Sequence, residues 1–341
     1  MNMEHKVSGI QLTGRHAWPD ELTGAARVYA REPNEKNLEA LKAGQRDAAR
    51  KLAALQVKLG FSYVYEGGFG LKDDFVPYIE KVGGIGGGKG QINQQPGTRN
   101  QYYFIPFING KLHSDGRIFS DYLLTGELPE GRKKKVTLIS PLSFALASES
   151  TQYSGLVDLL YDFSEIQRRE IEQLSKSYDY IQLNESFASD ERFSKKLTKD
   201  LLVAFGDRLD RSFKGLGVRS AVFCFAGDAK SIAPVVIDSK ITDIGFDFNT
   251  SYAKIEVDID KNLILGQQNV TRKLPDDLLA DEPGRLAAKA KEALASIHLR
   301  DGAEVFLGQS QGSDGLQTYP QAIKRDENLS AALRLLRGEH P

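Results

Sequence analysis

Polar side chains close almost every β-rich run of this sequence. Glu66 ends "FSYVYEG", Asn184 and Glu185 end "YIQLNE", Asp228 follows "AVFCFAG", and Asp247 and Asn249 close "DIGFDFN". Gln267, Gln268 and Asn269 close "LILGQQN", and Gln309, Ser310 and Asp314 follow "EVFLG". A carboxylate in an apolar setting acquires a raised pKa suited to proton transfer, and amides hold the edges of a polar small molecule. Glu185 and Asp247 are the candidate catalytic groups, and Arg15, Asn100, Tyr102, Asn184, Asn269 and Asp314 the candidate substrate-binding groups. One polar strand end is ordinary, because solvent begins there; the collection is what points to a site.

Metal and thiol chemistry are poorly served. The five histidines (His5, His16, His113, His298, His340) are scattered and form no HxxxH spacing, so zinc is not expected. Glu185, Asp247 and Asp314 form the one carboxylate set that could hold a hard cation, and no metal is assigned to it. The single cysteine, Cys224, lies between Phe223 and Phe225, and strand alternation turns it away from both. It reads as a small core side chain rather than a nucleophile.

Such strand ends must be positioned by the elements behind them. Eight β-rich runs are predicted, at 8–13, 61–67, 135–140, 180–185, 220–226, 243–248, 263–269 and 304–310, separated by helical patterns that include 155–176, 191–212, 284–297 and 321–336. Runs such as "VTLIS" and "AVFCFA" are apolar throughout, as parallel strands covered by helices are. The pattern predicts a single (β/α)8 TIM barrel over 1–341, with a doubly wound open sheet as the alternative, and places chemistry at the carboxyl ends of the strands.

A glycine-rich insertion follows the second run. Six glycines fall between 83 and 90, but "GGIGGGKG" lacks the Walker spacing and the Ser/Thr after its lysine, so 80–110 is read as an inserted mobile loop over the barrel mouth. "GRKKKV" at 131–136 is read as a solvated turn. The balance of 45 Lys+Arg against 46 Asp+Glu points to neither nucleic acid nor an anionic membrane. One cysteine, no apolar signal run and no membrane-length segment fit a soluble cytoplasmic protein with a small-molecule substrate.

Several stretches together resemble the cobalamin-independent methionine synthase family, and its N-terminal barrel in particular. "EGGFGLKDDF", "RNQYYFIP", "VTLISPLSF", "YIQLNESFASD", "VFCFAGD", "LILGQQNVTR" and "GSDGLQTYP" follow the family's motif order over nearly the whole chain. The resemblance implies a barrel of the methyltransferase type using a methyltetrahydrofolate-type co-substrate. The family's catalytic His and Cys positions fall on Phe223 and Phe225, its ligand glutamate near Asp247, its last zinc cysteine on Asp314, and its amine-binding aspartate on Asn184; Glu185 is retained. The cations that would meet a folate tail are replaced by Asp20–Thr23 and Gln95, leaving Arg15, Lys89 and Arg99 as substitutes. The resemblance therefore implies a barrel without its own zinc ligands, acting with a separate zinc-bearing catalytic chain. The alternatives are an independent zinc-free enzyme on a pterin-like or amino-acid substrate, with Glu185 as acid or base, and a non-catalytic binding barrel.

Overall fold

The computed structural model describes residues 7–93, 101–249, 258–268, 282–313 and 318–339. Strand β1 (Val7–Ile10) leads into helices α1 (Asp20–Arg31) and α2 (Glu35–Leu59). The Asn34 side chain accepts from Asn37 N to start α2, and Gly60, at φ 77°, ends it. Small residues Ala48, Ala49 and Ala53 with Leu52 form its buried stripe and let it approach the sheet closely. After α3 (Val76–Lys81) come β2 (Gly83–Asn93) and β3 (Gln101–His113), then β4 (Lys135–Ile139), α4 (Pro141–Ala147), β5 (Glu149–Ser150) and α5 (Leu156–Leu174). The chain continues through β6 (Tyr180–Glu185), α6 (Glu191–Ser194), α7 (Lys199–Ser212), β7 (Arg219–Cys224), α8 (Ala233–Asp238) and β8 (Asp243–Asp247). It ends with β9 (Asp258–Ile259), β10 (Asn262–Gln268), α9 (Pro283–Ala295), β11 (His298–Leu299), β12 (Val305–Gln309) and α10 (Tyr319–Leu336).

Among the described residues the central sheet has seven strands in the order β1-β12-β10-β8-β7-β6-β4, every pair parallel. It curls in the TIM-like manner, with helices packed outside. Tyr63 shows the curl directly: its ring meets Tyr180 of β6 at 4.5 Å and Phe306 of β12 at 6.3 Å between centroids.

The run expected as the second strand, 61–67, is not one. Its segment lies between the two edge strands, with Ser62 N donating to Ile10 O at 3.0 Å and Lys135 N donating to Val64 O at 2.9 Å, but the pairing shrinks to one bridge, Val64 with Lys134. The cause is Gln56 on α2. Its amide takes both backbone groups of Tyr65, accepting from Tyr65 N at 3.0 Å and donating to Tyr65 O at 2.7 Å, so a side chain replaces the neighbouring strand.

Two strands run within the segment read as an inserted loop over 80–110. β2 and β3 form a long antiparallel hairpin, extended by the parallel pair Phe107 with Glu149 of β5. The alternating sequence of β3 supplies the template, and the glycines of β2 leave room for side chains that fold back across it. A Cβ on Gly83 would stand 2.2 Å from the His113 ring. Asp73 pins the hairpin to the body by accepting from Phe104 N at 2.8 Å.

The "GRKKKV" turn is solvated only in part, because Lys135 is 0% exposed. Its Nζ enters the interior of the curled sheet and donates to Gln11 Oε1 (2.7 Å), Leu12 O (2.6 Å) and Gln182 Oε1 (2.7 Å). Alongside it Asp243 accepts from Tyr180 Oη at 2.7 Å, Arg219 Nε at 2.8 Å and Asn262 Nδ2 at 2.9 Å. Arg219 reaches on to Glu304 at 2.6 Å and Tyr63 Oη at 3.1 Å. These contacts draw on the seven strands or their flanks and on the 62–65 segment.

Removing one member of a buried charge network strands the others, at about 3–5 kcal/mol. Asp243→Ala should lower stability by about that amount in urea unfolding. A loss below about 1 kcal/mol would show that the network carries little of the stability.

Candidate functional site

Alternation along β6 sorts its side chains. Tyr180, Gln182 and Asn184 share the interior face and climb from the polar belt to the carboxyl end, while Glu185 takes the opposite parity. Gln182 Nε2 donates to Thr13 O and to Asn184 Oδ1, each at 2.6 Å. Asn184 is 5% exposed and lies beside the loop after β1, where a Cβ on Gly14 would stand 3.9 Å from its Nδ2.

Glu185 faces the helix layer and is fully buried. Its Oε1 accepts from Ser143 Oγ at 2.5 Å and Ala188 N at 3.0 Å, and its Oε2 from the Ser140 hydroxyl and from Ser143 N at 3.1 Å. Ser143 Oγ in turn accepts from Ser186 N and Phe187 N. The carboxylate thus joins the start of α4 to the turn after β6. Burial raises its pKa, and the Ser140 and Ser143 hydroxyls act against that rise.

Asp247 ends β8 on the interior parity and is 6% exposed. Its Oδ1 accepts from Asn249 N at 2.8 Å, and neither Glu185 nor Asn184 bonds it. Arg15 extends to the 72–74 loop, with Nε 3.2 Å from Asp74 Oδ1 and Nη1 donating to Lys72 O at 3.0 Å. The structure therefore places Arg15, Asn184 and Asp247 at the carboxyl end of the sheet and Glu185 behind it. Asn100, Asn269 and Asp314 lie outside the described residues, and Tyr102 is placed only as a residue of β3.

On β7 the parity is the expected one. Cys224 is 1% exposed in the outer core, and burial pushes its thiol well above the usual range. Phe223 and Phe225 face the interior with ring centroids 5.9 Å apart. Phe223 is seated on glycines of two neighbouring strands, because a Cβ on Gly245 or Gly266 would stand 2.3 or 3.0 Å from its ring. Phenyl rings offer a metal no lone pair, and among the described residues no three His, Cys, Asp or Glu converge on a point that could hold an ion. The described residues do not fit a zinc centre. Just beyond β7, Ala226 takes a φ of 67°, a left-handed conformation that sterics disfavour for alanine.

Two further features lie outside the candidate site residues chosen from sequence. His16 Nε2 stands 3.3 Å from Asp326 Oδ2, both side chains fully buried, and Gln309 Nε2 donates to Asp326 Oδ1 at 3.0 Å. With Ser313 Oγ accepting from Ala17 N at 3.0 Å, these contacts tie the loop after β1 to the loop after β12. Glu66 is 1% exposed, no other residue among those described hydrogen-bonds its carboxylate, and burial pushes its pKa up to about 8 against the opposing effect of its own backbone N–H. Its place at a strand end was the only signal for it in the sequence.

The likeness to known proteins lies in the fold. A B12-independent methionine synthase from Shewanella sp. W3-18-1, solved in complex with selenomethionine, matches with a TM-score of 0.66 at 17% identity, covering 88% of this chain and 89% of that one. A putative vitamin-B12 independent methionine synthase from Listeria monocytogenes matches with a TM-score of 0.65 at 12% identity, covering 99% of each chain. No family model and no curated protein sequence matches the chain.

Glu66 sets a pH dependence with a definite sign. A carboxyl whose pKa rises from 4.5 unfolded to about 8 folded keeps its proton only in the native state across that window. Its contribution therefore declines as pH climbs from about 4.5 to about 8 and is level above that. Glu66→Gln should flatten this decline and raise stability at pH 8 in urea titrations; an unchanged pH profile would contradict the assignment.

Proposed function

We propose that this chain forms a closed (β/α)8 barrel of the cobalamin-independent methionine synthase type that binds a methionine-like amino acid at the carboxyl end of its strands. The hydrogen bonds from the 62–65 segment to both edge strands support closure. The sequence resemblance and the whole-length likeness to two methionine synthase structures, one of them bound to selenomethionine, support the family and the ligand class. In that fold, ligands sit where Asn184 and Asp247 lie.

Phe223 is the observation that carries the reading of the chemistry. In the resemblance it and Phe225 occupy the positions of the zinc-binding His and Cys, and its ring fills the interior over Gly245 and Gly266. Activating a homocysteine thiol needs a cation to hold the thiolate, and phenyl rings supply no ligand for one. The mouth is thus a binding site in which Asn184 and Asp247 meet the ligand's polar groups. Glu185, saturated by Ser140, Ser143 and Ala188, positions the β6 turn rather than exchanging protons with a ligand. Methyl transfer would then need zinc ligands from a separate catalytic chain, whereas ligand binding at this mouth uses this chain's own residues.

The test is methyl transfer from methyltetrahydrofolate to homocysteine by the purified chain with added zinc, alongside calorimetric titration with L-methionine. The reading predicts methionine binding without turnover. Turnover with stoichiometric zinc would show that the ligand strands have been misaligned, and absence of binding would remove the amino-acid assignment.

A further inference from the structure

A relay of three side chains fixes what the mouth presents to a ligand. The Lys135 ammonium can only donate, and it donates to Gln182 Oε1 at 2.7 Å. The Thr13 carbonyl can only accept, and it takes Gln182 Nε2 at 2.6 Å. Held by a pure donor at one end and a pure acceptor at the other, the Gln182 amide has one permitted orientation. Its Nε2 then requires an acceptor from Asn184, which Oδ1 provides at 2.6 Å. Asn184 must turn Nδ2 the other way, past Gly14, where no protein group among the described residues accepts from it. The side chain is 5% exposed, so this donor is deeply set, with no acceptor among the described residues.

We infer that the mouth binds its ligand through an acceptor oxygen, a carboxylate or a carbonyl, docked on Asn184 Nδ2, and that Lys135 and Gln182 act as positioning residues that set this polarity. The inference rests on the reading of the mouth as an amino-acid site and names which end of the amino acid Asn184 meets. The resemblance puts an amine-binding aspartate at this position; Asn184, locked as a donor, inverts that preference. An ammonium placed there would face two N–H groups with no acceptor between them.

Binding of four probes tests this: L-methionine, 3-(methylthio)propionate, 3-(methylthio)propanamide and 3-(methylthio)propylamine. The acid or the amide should bind, and the amine at least about tenfold more weakly, which is the cost of one mismatched polar contact. A preference for the acid assigns a carboxylate, and a preference for the amide assigns a carbonyl. Gln182→Glu removes the donor that holds Asn184, so its amide turns over and the amine should gain on the acid. Asn184→Asp should give the same reversal with the relay intact. A merely structural role would weaken all probes alike. An amine that binds as well as the acid, or folded variants with no reversal, would overturn the inference. If no probe binds, the amino-acid reading falls, and side-chain amide exchange by NMR decides the polarity: Asn184 NH2 protons should exchange faster than those of Gln182, and the opposite order overturns it.

Discussion

An ammonium group buried inside a curled sheet constrains everything around it. Lys135 has no exposure, so each of its three protons needs a protein oxygen, and Gln11, Leu12 and Gln182 provide them. Burial pulls its pKa well below that of a free lysine while Asp243 acts in the opposite direction. The three oxygens nonetheless demand a third proton, because a neutral amine would turn its lone pair toward one of them. Asp243, Arg219, Tyr180, Asn262 and Glu304 continue the polar layer around the interior. A register slip in any of these strands would leave a charge unpaired in a place without water, so the layer selects one arrangement of the sheet.

The same layer reaches the carboxyl end of the sheet through β6. Tyr180, Gln182 and Asn184 are successive interior residues of one strand, and Gln182 hands its orientation to Asn184 above the belt. The apolar ring of Phe223 occupies the interior beside this ladder, in contact with the glycines of β8 and β10. In the proposed reading, Asn184 and Asp247 stand at this end over an aromatic plug, a surface suited to recognising a polar ligand. Glu185 and the His16–Asp326 pair lie behind that surface and hold the turns that form it.

Much of this was legible in the sequence, and the failures share a cause. Seven of the eight expected strands appear within a few residues of their predicted limits, because apolar runs between helical periods report burial directly. The core reading of Cys224 followed from parity alone. Parity along "YIQLNE" also separates Asn184, on the interior face, from Glu185, which faces the helix layer. Other features depend on partners far away in the chain. Lys135 is indistinguishable from its neighbours Lys133 and Lys134 until Gln11 and Gln182 are brought to it. The strand at 61–67 gives way to a glutamine from α2, and the glycine-rich stretch becomes a strand because β3 lies beside it. The fold is similar to that of the two methionine synthase structures, while Asn100, Asn269 and Asp314 lie outside the described residues.

The most direct test of the account is the protonation state of Lys135, followed through its Nζ by nitrogen-15 NMR across pH 5 to 9. The account predicts an ammonium at neutral pH whose protons exchange slowly enough to be observed, held by three oxygen acceptors. A neutral amine at pH 7, or ammonium protons exchanging as fast as those of surface lysines, would contradict both the belt and the orientation of the mouth built on it.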